Sequence, residues 1–276
     1  MGAGHELRMA VRRGEYTGLT TARAPGYVQA NLVVLPQKQV ADFLRFCELN
    51  AAACPVLGVS EPGSPCIPAL AHDMDVRRDL PGYLIHRSGV ATEEVSDITD
   101  VWRSDMVAVA IGCWFSMEDA LAAAGVRLRH VELGIQGPLF KTSVQTRGAG
   151  IFGGPLVVSM RPFARESVDT VRQITSRFLR VHGAPIHEGD PSALGIADLG
   201  TPEFGEVLQP LPGEVPLYWP CGLTALVALE NSGIEFFVTH APGKMLVTDI
   251  LNSSLETSKS SAVADAERTL LYERHF

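Results

Sequence analysis

The longest uninterrupted apolar runs in this chain, such as Met106–Ile111, have only the length of a core strand. Nothing approaches the roughly 18 apolar residues that a membrane-spanning helix needs. Runs this short, ended by a glycine, must be buried inside a water-soluble core. The 276 residues suffice for a sizeable core in one large domain or two modest ones. At 46% hydrophobic and 20% charged, the composition is that of a globular protein.

The formal net charge is −8. Nucleic acid requires a basic face, so it is not an expected partner, and neither is a membrane. Five cysteines, at 47, 54, 66, 113 and 221, are odd in number and irregularly spaced. That pattern argues against a disulfide framework and for a reducing, cytoplasmic compartment. Residues 1–18 carry Arg8, Arg12 and Arg13 without an apolar segment, so no signal peptide is expected.

Along the chain, Val28–Leu35 reads as a buried strand ending at Pro36. Gln37–Asn50 follows with helical spacing at Val40, Phe43, Leu44 and Cys47. Residues 51–68 read as a loop and Tyr83–His86 as a short strand. Residues 105–125 read as strand, tight turn and helix, with Ser116 as the N-cap and Gly125 as the stop. Arg129–Leu133, Phe140–Thr146 and Pro155–Met160 suggest three short strands, and Arg165–Phe178 a helix. Val215–Trp219 and Phe236–Thr239 suggest strands flanking a helix over Cys221–Glu230, and 262–272 a terminal helix or a frayed end. The expected fold is therefore α/β: a mixed three-layer main domain (1–125 and 195–276) with a smaller inserted α+β two-layer unit (126–194).

Five segments carry polar groups suited to chemistry. His182 and His187 flank Gly-Ala-Pro, with Glu188 and Asp190 close behind; Pro185 and Gly189 disfavour a helix, so an ordered loop is expected. Imidazole titrates near neutral pH and suits proton transfer, with Asp190 as an orienting group. His240 follows a strand and precedes Pro242-Gly243, and reads either as a catalytic base or as a buried ring satisfied by backbone. Cys221 and Cys113 each sit between a strand and a helix start, where helix-end amides lower a thiol pKa, although a small buried residue without chemistry would explain either. Arg161 ends a strand beside Ser159 and grips carboxylates well, although a structural ion pair would explain it too. Gln29 and Asn31 share one face of a strand and either line a polar pocket or lock neighbouring loops. Phosphate-loop, Gly-x-Ser-x-Gly and His-Glu-x-x-His patterns are absent. No cofactor or resident metal is expected, although His182, His187, His240 and Asp190 could converge on one if the fold joined them.

Taken in order, several stretches resemble the YcsI-like hydro-lyase family, which also resembles the N-terminal domain of an animal D-glutamate cyclase. They are Gly-Tyr-Val-Gln-Ala-Asn-Leu at 26–32, Asp-Leu-Pro-Gly-Tyr at 79–83, Gly-Cys-Trp-Phe-Ser at 112–116 and Val-Ser-Met-Arg-Pro at 158–162. The run 182–191, Trp-Pro-Cys-Gly-Leu-Thr at 219–224 and Thr-His-Ala-Pro-Gly at 239–243 complete the set. The resemblance implies a larger three-layer part, a smaller inserted part and a water-eliminating activity. This chain departs from the family pattern at Trp114 and Met117, at Ala225 and Leu226, and at Lys244, which stands where the family has histidine. A changed substrate in a specialised biosynthetic pathway is the expected consequence.

The resulting expectation is a carbon–oxygen lyase acting on a small carboxylate. Arg161 would anchor the carboxylate, with Gln29, Asn31, Ser159, Thr224 and Lys244 around the substrate. His187, His240 and His182 would move protons, Asp190 would orient His187, and Cys221 or Cys113 would be a further donor. Lactam or lactone closure, rearrangement, and a non-catalytic binding protein are the alternatives. A homodimer is left open.

Overall fold

In the computed structural model, which describes residues 2–257, the strand expected at 28–35 is the centre of the molecule. This β1 (Tyr27–Pro36) is buried almost throughout. It runs against β5 (Met106–Gly112) in unbroken register from Ala30↔Gly112 to Pro36↔Met106. On its other side it is shared. β11 (Leu246–Leu251) takes its first half and β10 (Phe236–His240) its second. β2 (Val56–Val59), β3 (Tyr83–Arg87) and β4 (Val90–Val95) complete a seven-stranded sheet of order β2-β5-β1-β10-β3-β4. A second sheet has the order β6-β7-β9-β8, from β6 (Leu139–Gln145), β7 (Pro155–Ala164), β8 (His187–Glu188) and β9 (Glu214–Pro220). Every pairing between these strands is antiparallel.

Unbroken apolar runs usually mark parallel sheets covered on both faces. Here the covering layers produce the same pattern on antiparallel strands. One face of β1 and β5 (Leu32, Val34, Ala108, Ala110) packs with Leu121 of α3 (Glu118–Ala123) and Val171 of α5 (Val168–Thr175). The other face (Val33, Leu35, Val107, Val109) packs with Phe43 and Phe46 of α2 (Gln37–Leu49) and Leu226 of α6 (Leu223–Asn231). Helices therefore lie on both sides of the sheet layer, as a three-layer α/β fold requires. Both apolar clusters run on into the second sheet: Leu217 and Trp219 join the first, Val158 and Tyr218 the second. β9, which follows residue 194, thus lies between β7 and β8 rather than in the larger sheet.

Some local expectations change. Arg129–Leu133 is a helical turn, α4, not a strand; Gly134 closes it in the left-handed region, at φ 65°. Ser116 is no N-cap. Its hydroxyl bonds Gln29 N at 2.9 Å, and α3 starts two residues later. Within the ordered loop expected here, His187–Glu188 pairs as a short strand, because Ile186 N donates to Tyr218 O at 2.8 Å and docks the segment on β9. The polar N-terminal segment forms α1 (Ala3–Arg12), which buries Arg8. The terminal helix considered over 262–272 lies outside the described residues.

Candidate active site

Two strands, one from each sheet, end in the same way. β5 stops at Gly112, and Cys113 leads into a 3₁₀ turn over Trp114–Met117. β9 stops at Pro220, and Cys221 leads into α6. β1, the neighbour of β5, contributes Asn31, and β7, the neighbour of β9, contributes Ser159 and Arg161. These residues face one pocket with about 350 Å³ of empty space, part of it open to solvent. His182, Trp114 and Phe115 also line it, with Gln136, Leu139, Leu223 and Met245 closing the remaining sides.

Arg161 dominates this cavity. It is 2% exposed, and no carboxylate among the described residues lies within ion-pair distance of it. Its two terminal nitrogens donate to backbone carbonyls instead, to Met160 at 2.8 Å and Gln136 at 2.7 Å. The guanidinium lies 5.1 Å from the centre of the Trp114 ring, a cation–π contact. Burial lowers its pKa, against the weaker opposite pull of Glu118 and of Cys221 and Cys113. Gly137, at φ 84°, makes room for this arrangement: a Cβ there would lie 2.9 Å from Nη1 of Arg161.

Among the described residues, three buried polar atoms at the cavity have no hydrogen-bond partner: Arg161 Nε, Ser159 Oγ and Trp114 Nε1. Leaving a buried donor unmet costs roughly 1–3 kcal/mol, so three around one void mark a place for an acceptor-rich ligand. Behind them, Glu118 accepts from Thr21 Oγ1 at 3.0 Å and pairs with His130 Nε2 at 2.9 Å. The His130 ring packs edge-on against Trp114, 5.3 Å between centres, and fixes the indole.

The cysteines correct an expectation. Burial pushes the Cys221 thiol up to about 11 and Cys113 well above the ordinary thiol range. Backbone amides of Leu223 and Phe115 pull the other way, as expected, but desolvation is larger. Both are therefore thiols at neutral pH, able to give protons. His182 takes up φ 98°, a conformation rare outside glycine, and this carries its ring to the cavity wall. Its Nδ1 lies 2.9 Å from Ala52 O; a carbonyl only accepts, so Nδ1 carries the proton. Burial lowers its pKa to about 4, outweighing backbone bonds to Ala52 and Gly112, and the ring is neutral.

Six expected residues do not reach the cavity. His240 is buried between β10 and β1, its Nδ1 3.3 Å from Leu32 N, at the point where β1 passes from β11 to β10. Burial lowers its pKa to about 4. It fills a gap in the sheet rather than serving as a base beside Arg161. His187 lies on β8, where its Nε2 donates to Asp190 O at 2.7 Å and its ring packs on Tyr218. The Asp190 carboxylate does not orient it. That group accepts from Ser192 N at 2.9 Å and Ser192 Oγ at 2.7 Å, which holds its pKa down. Gln29 donates to Thr20 O at 3.0 Å and locks a loop. Thr224 Oγ1 accepts from Val157 N at 3.0 Å and ties α6 to β7. Lys244 pairs with Glu94 at 2.6 Å on the surface. With His182 at the cavity and His187 and His240 elsewhere, the imagined metal set is not assembled. Among the described residues no group of three His, Cys, Asp or Glu side chains is placed to hold a metal.

Sequence reading missed Gln136, Leu139, Leu223 and Met245 as lining residues, and it noted Trp114 and Phe115 only as part of a turn. A signal for Gln136 existed: it stands in Gly-Ile-Gln-Gly-Pro at 134–138, where two glycines force the backbone through tight turns.

The fold and cavity thus define a mixed α/β protein with a buried guanidinium at a polar cavity. The chain belongs to the D-glutamate cyclase family, whose model matches residues 107–249, a span holding every cavity residue except Asn31. It is 50% identical to a Bordetella pertussis protein named "Putative hydro-lyase", over 92% of each chain. Relatives of the same name occur in Azorhizobium caulinodans (48% identical; 93% of this chain and 94% of that one) and Burkholderia cenocepacia (51%; 91% and 97%). Among solved structures, a nitrogen repressor-like protein from Methanococcus jannaschii aligns with a TM-score of 0.36 at 12% identity, over 89% of this chain and 97% of that one. No helix among the described residues is long and apolar enough to cross a membrane.

Proposed function

We propose that this chain is a carbon–oxygen lyase of the hydro-lyase type, acting on a small molecule whose carboxylate binds Arg161. The unpaired buried guanidinium carries this reading. Burying a charge without a counter-ion is costly, and an anionic substrate removes that cost by supplying one. Ser159 Oγ and Trp114 Nε1 would donate to the same anion. Cys113 and Cys221 take over the acid and base work first expected of His187 and His240. The neutral His182 would act as a hydrogen-bonding partner, since a group at about 4 is a weak base. The curated relatives' shared name supports the reaction class, and five free thiols support a reducing, cytoplasmic setting.

Lactam closure of an amino dicarboxylic acid is the second reading. It is favoured by the family's description and by the span of its match over the cavity. It also releases one water, so NMR of the product, not mass, separates a ring from an alkene. The binding test uses thermal unfolding with malate and glutamate against their diamides. The carboxylates should stabilise the wild type and not Arg161→Met; a ligand at 100 times its Kd adds about 2.7 kcal/mol. Equal stabilisation of both proteins would remove Arg161 from the site.

A further inference from the structure

Cys113 and Cys221 are two thiols at one cavity, and they arrive there by equivalent routes. Each follows the last residue of a buried strand and precedes a helical turn, one from the seven-stranded sheet and one from the four-stranded sheet. Cys113 belongs to one apolar cluster, whereas Cys221 packs against the other. The thiols therefore reach the cavity from different sheets, and Cys113 feels the charges of both Cys221 and Arg161. Both line the space beside the unmet polar atoms of Ser159, Trp114 and Arg161.

We infer that Cys113 and Cys221 form a two-thiol proton-transfer pair, and that the enzyme inverts the α-carbon of a small chiral amino or hydroxy acid held at Arg161. This rests on the carboxylate site proposed above and adds an activity to it. In the step, one cysteine first loses its proton to water, helped by the nearby Arg161 charge, and the thiolate so formed takes the α-proton. The C–H electron pair passes into the carboxylate as an enediolate held by the guanidinium. The thiol of the other cysteine then gives its proton to the opposite face of the carbon. Thiol and thiolate have changed places, no electron has been gained or lost, and no co-reactant is required. The same geometry serves water loss when a β-hydroxyl is present, because the second thiol can protonate the leaving group instead.

The test uses the whole chain with D- and L-glutamate and with (R)- and (S)-malate, each in D₂O, followed by α-proton NMR and chiral chromatography. The inverted enantiomer should carry α-deuterium from the first turnovers while the remaining starting enantiomer keeps protium, the pattern of two separate bases. Cys113→Ser and Cys221→Ser should each lower inversion at least 100-fold. Each should retain wash-out of the α-proton from one enantiomer, and the two variants should differ in which. Cys66→Ser, away from the cavity, should leave the rates unchanged. Wild-type protein that leaves protium on all four acids overturns the proposal, as does starting material that exchanges as fast as it inverts. Thermal stabilisation by the acids that depends on Arg161, with no α-exchange, would leave the carboxylate site standing and remove the thiol pair. Absence of both would remove both.

Discussion

Arg8 and Arg161 are both almost fully buried, and the chain treats them in opposite ways. Arg8, at 0% exposure, meets Asp73 at 2.8 Å, Asp249 at 2.9 Å and Asp79 at 3.7 Å. Burial lowers its pKa, but the bonds and charges of Asp249 and Asp73 outweigh that and raise it. Arg161 has two carbonyls and an indole face, and burial alone decides the direction of its shift. A buried cation whose counter-ions come from its own chain is architecture: Arg8 staples α1 to β11 and to the loop before β3. A buried cation without them is incomplete until a ligand arrives. Burial by itself therefore does not mark a functional residue, whereas burial without compensation does.

The comparison is most strongly tested by removing each charge. Arg8→Met leaves Asp249 without its partner, while Asp73 keeps His5 and Asp79 keeps Arg12, and unfolding should become easier by about 3 kcal/mol in urea titration. A loss below 1 kcal/mol would mean that the cluster is not structural. Next comes pH. Burial holds His86, His182 and His240 at about 4, below the ordinary 6.5. The unfolded chain binds more protons between these values. The stability these rings contribute is thus complete above about 6.5 and is lost as pH falls toward 4, on the order of 3 kcal/mol for each. His240→Gln should flatten that dependence by about one proton; an unchanged slope would refute the assignment. Arg161→Met should change the stability of the unliganded protein by less than about 1 kcal/mol, or raise it, while abolishing turnover. A loss comparable to that of Arg8→Met would place Arg161 with the architecture. His187→Ala, on the outer side of β8, should cost about 0.5 kcal/mol and leave kcat within a factor of two. A 100-fold drop would return His187 to the chemistry.

Much of the framework was legible in the sequence. The apolar runs at 28–35 and 106–111 are central strands, and the spacing of Phe43 and Cys47 is that of a helix. Short-range pattern suffices where burial repeats with the period of one element. It failed at Arg129–Leu133, where five residues are too few to set a period, and at α1, whose buried face includes an arginine satisfied by residues far along the chain. In the candidate site, Arg161, Ser159, Asn31, His182 and both cysteines were marked, along with six residues that lie elsewhere.

The chain alone determined the residue types on offer, the strand ends that present them and the family. Tertiary structure decided which of them share a cavity, because that depends on partners distant in sequence. His240 and Leu32 are 208 residues apart, and their contact turns a plausible base into a neutral sheet-filling ring. Arg161 gained its meaning in the same way, because among the described residues no carboxylate lies within ion-pair distance of it and burial outweighs the pull of Glu118. Desolvation and pairing set the charge of a buried group, and both are properties of what surrounds it in space.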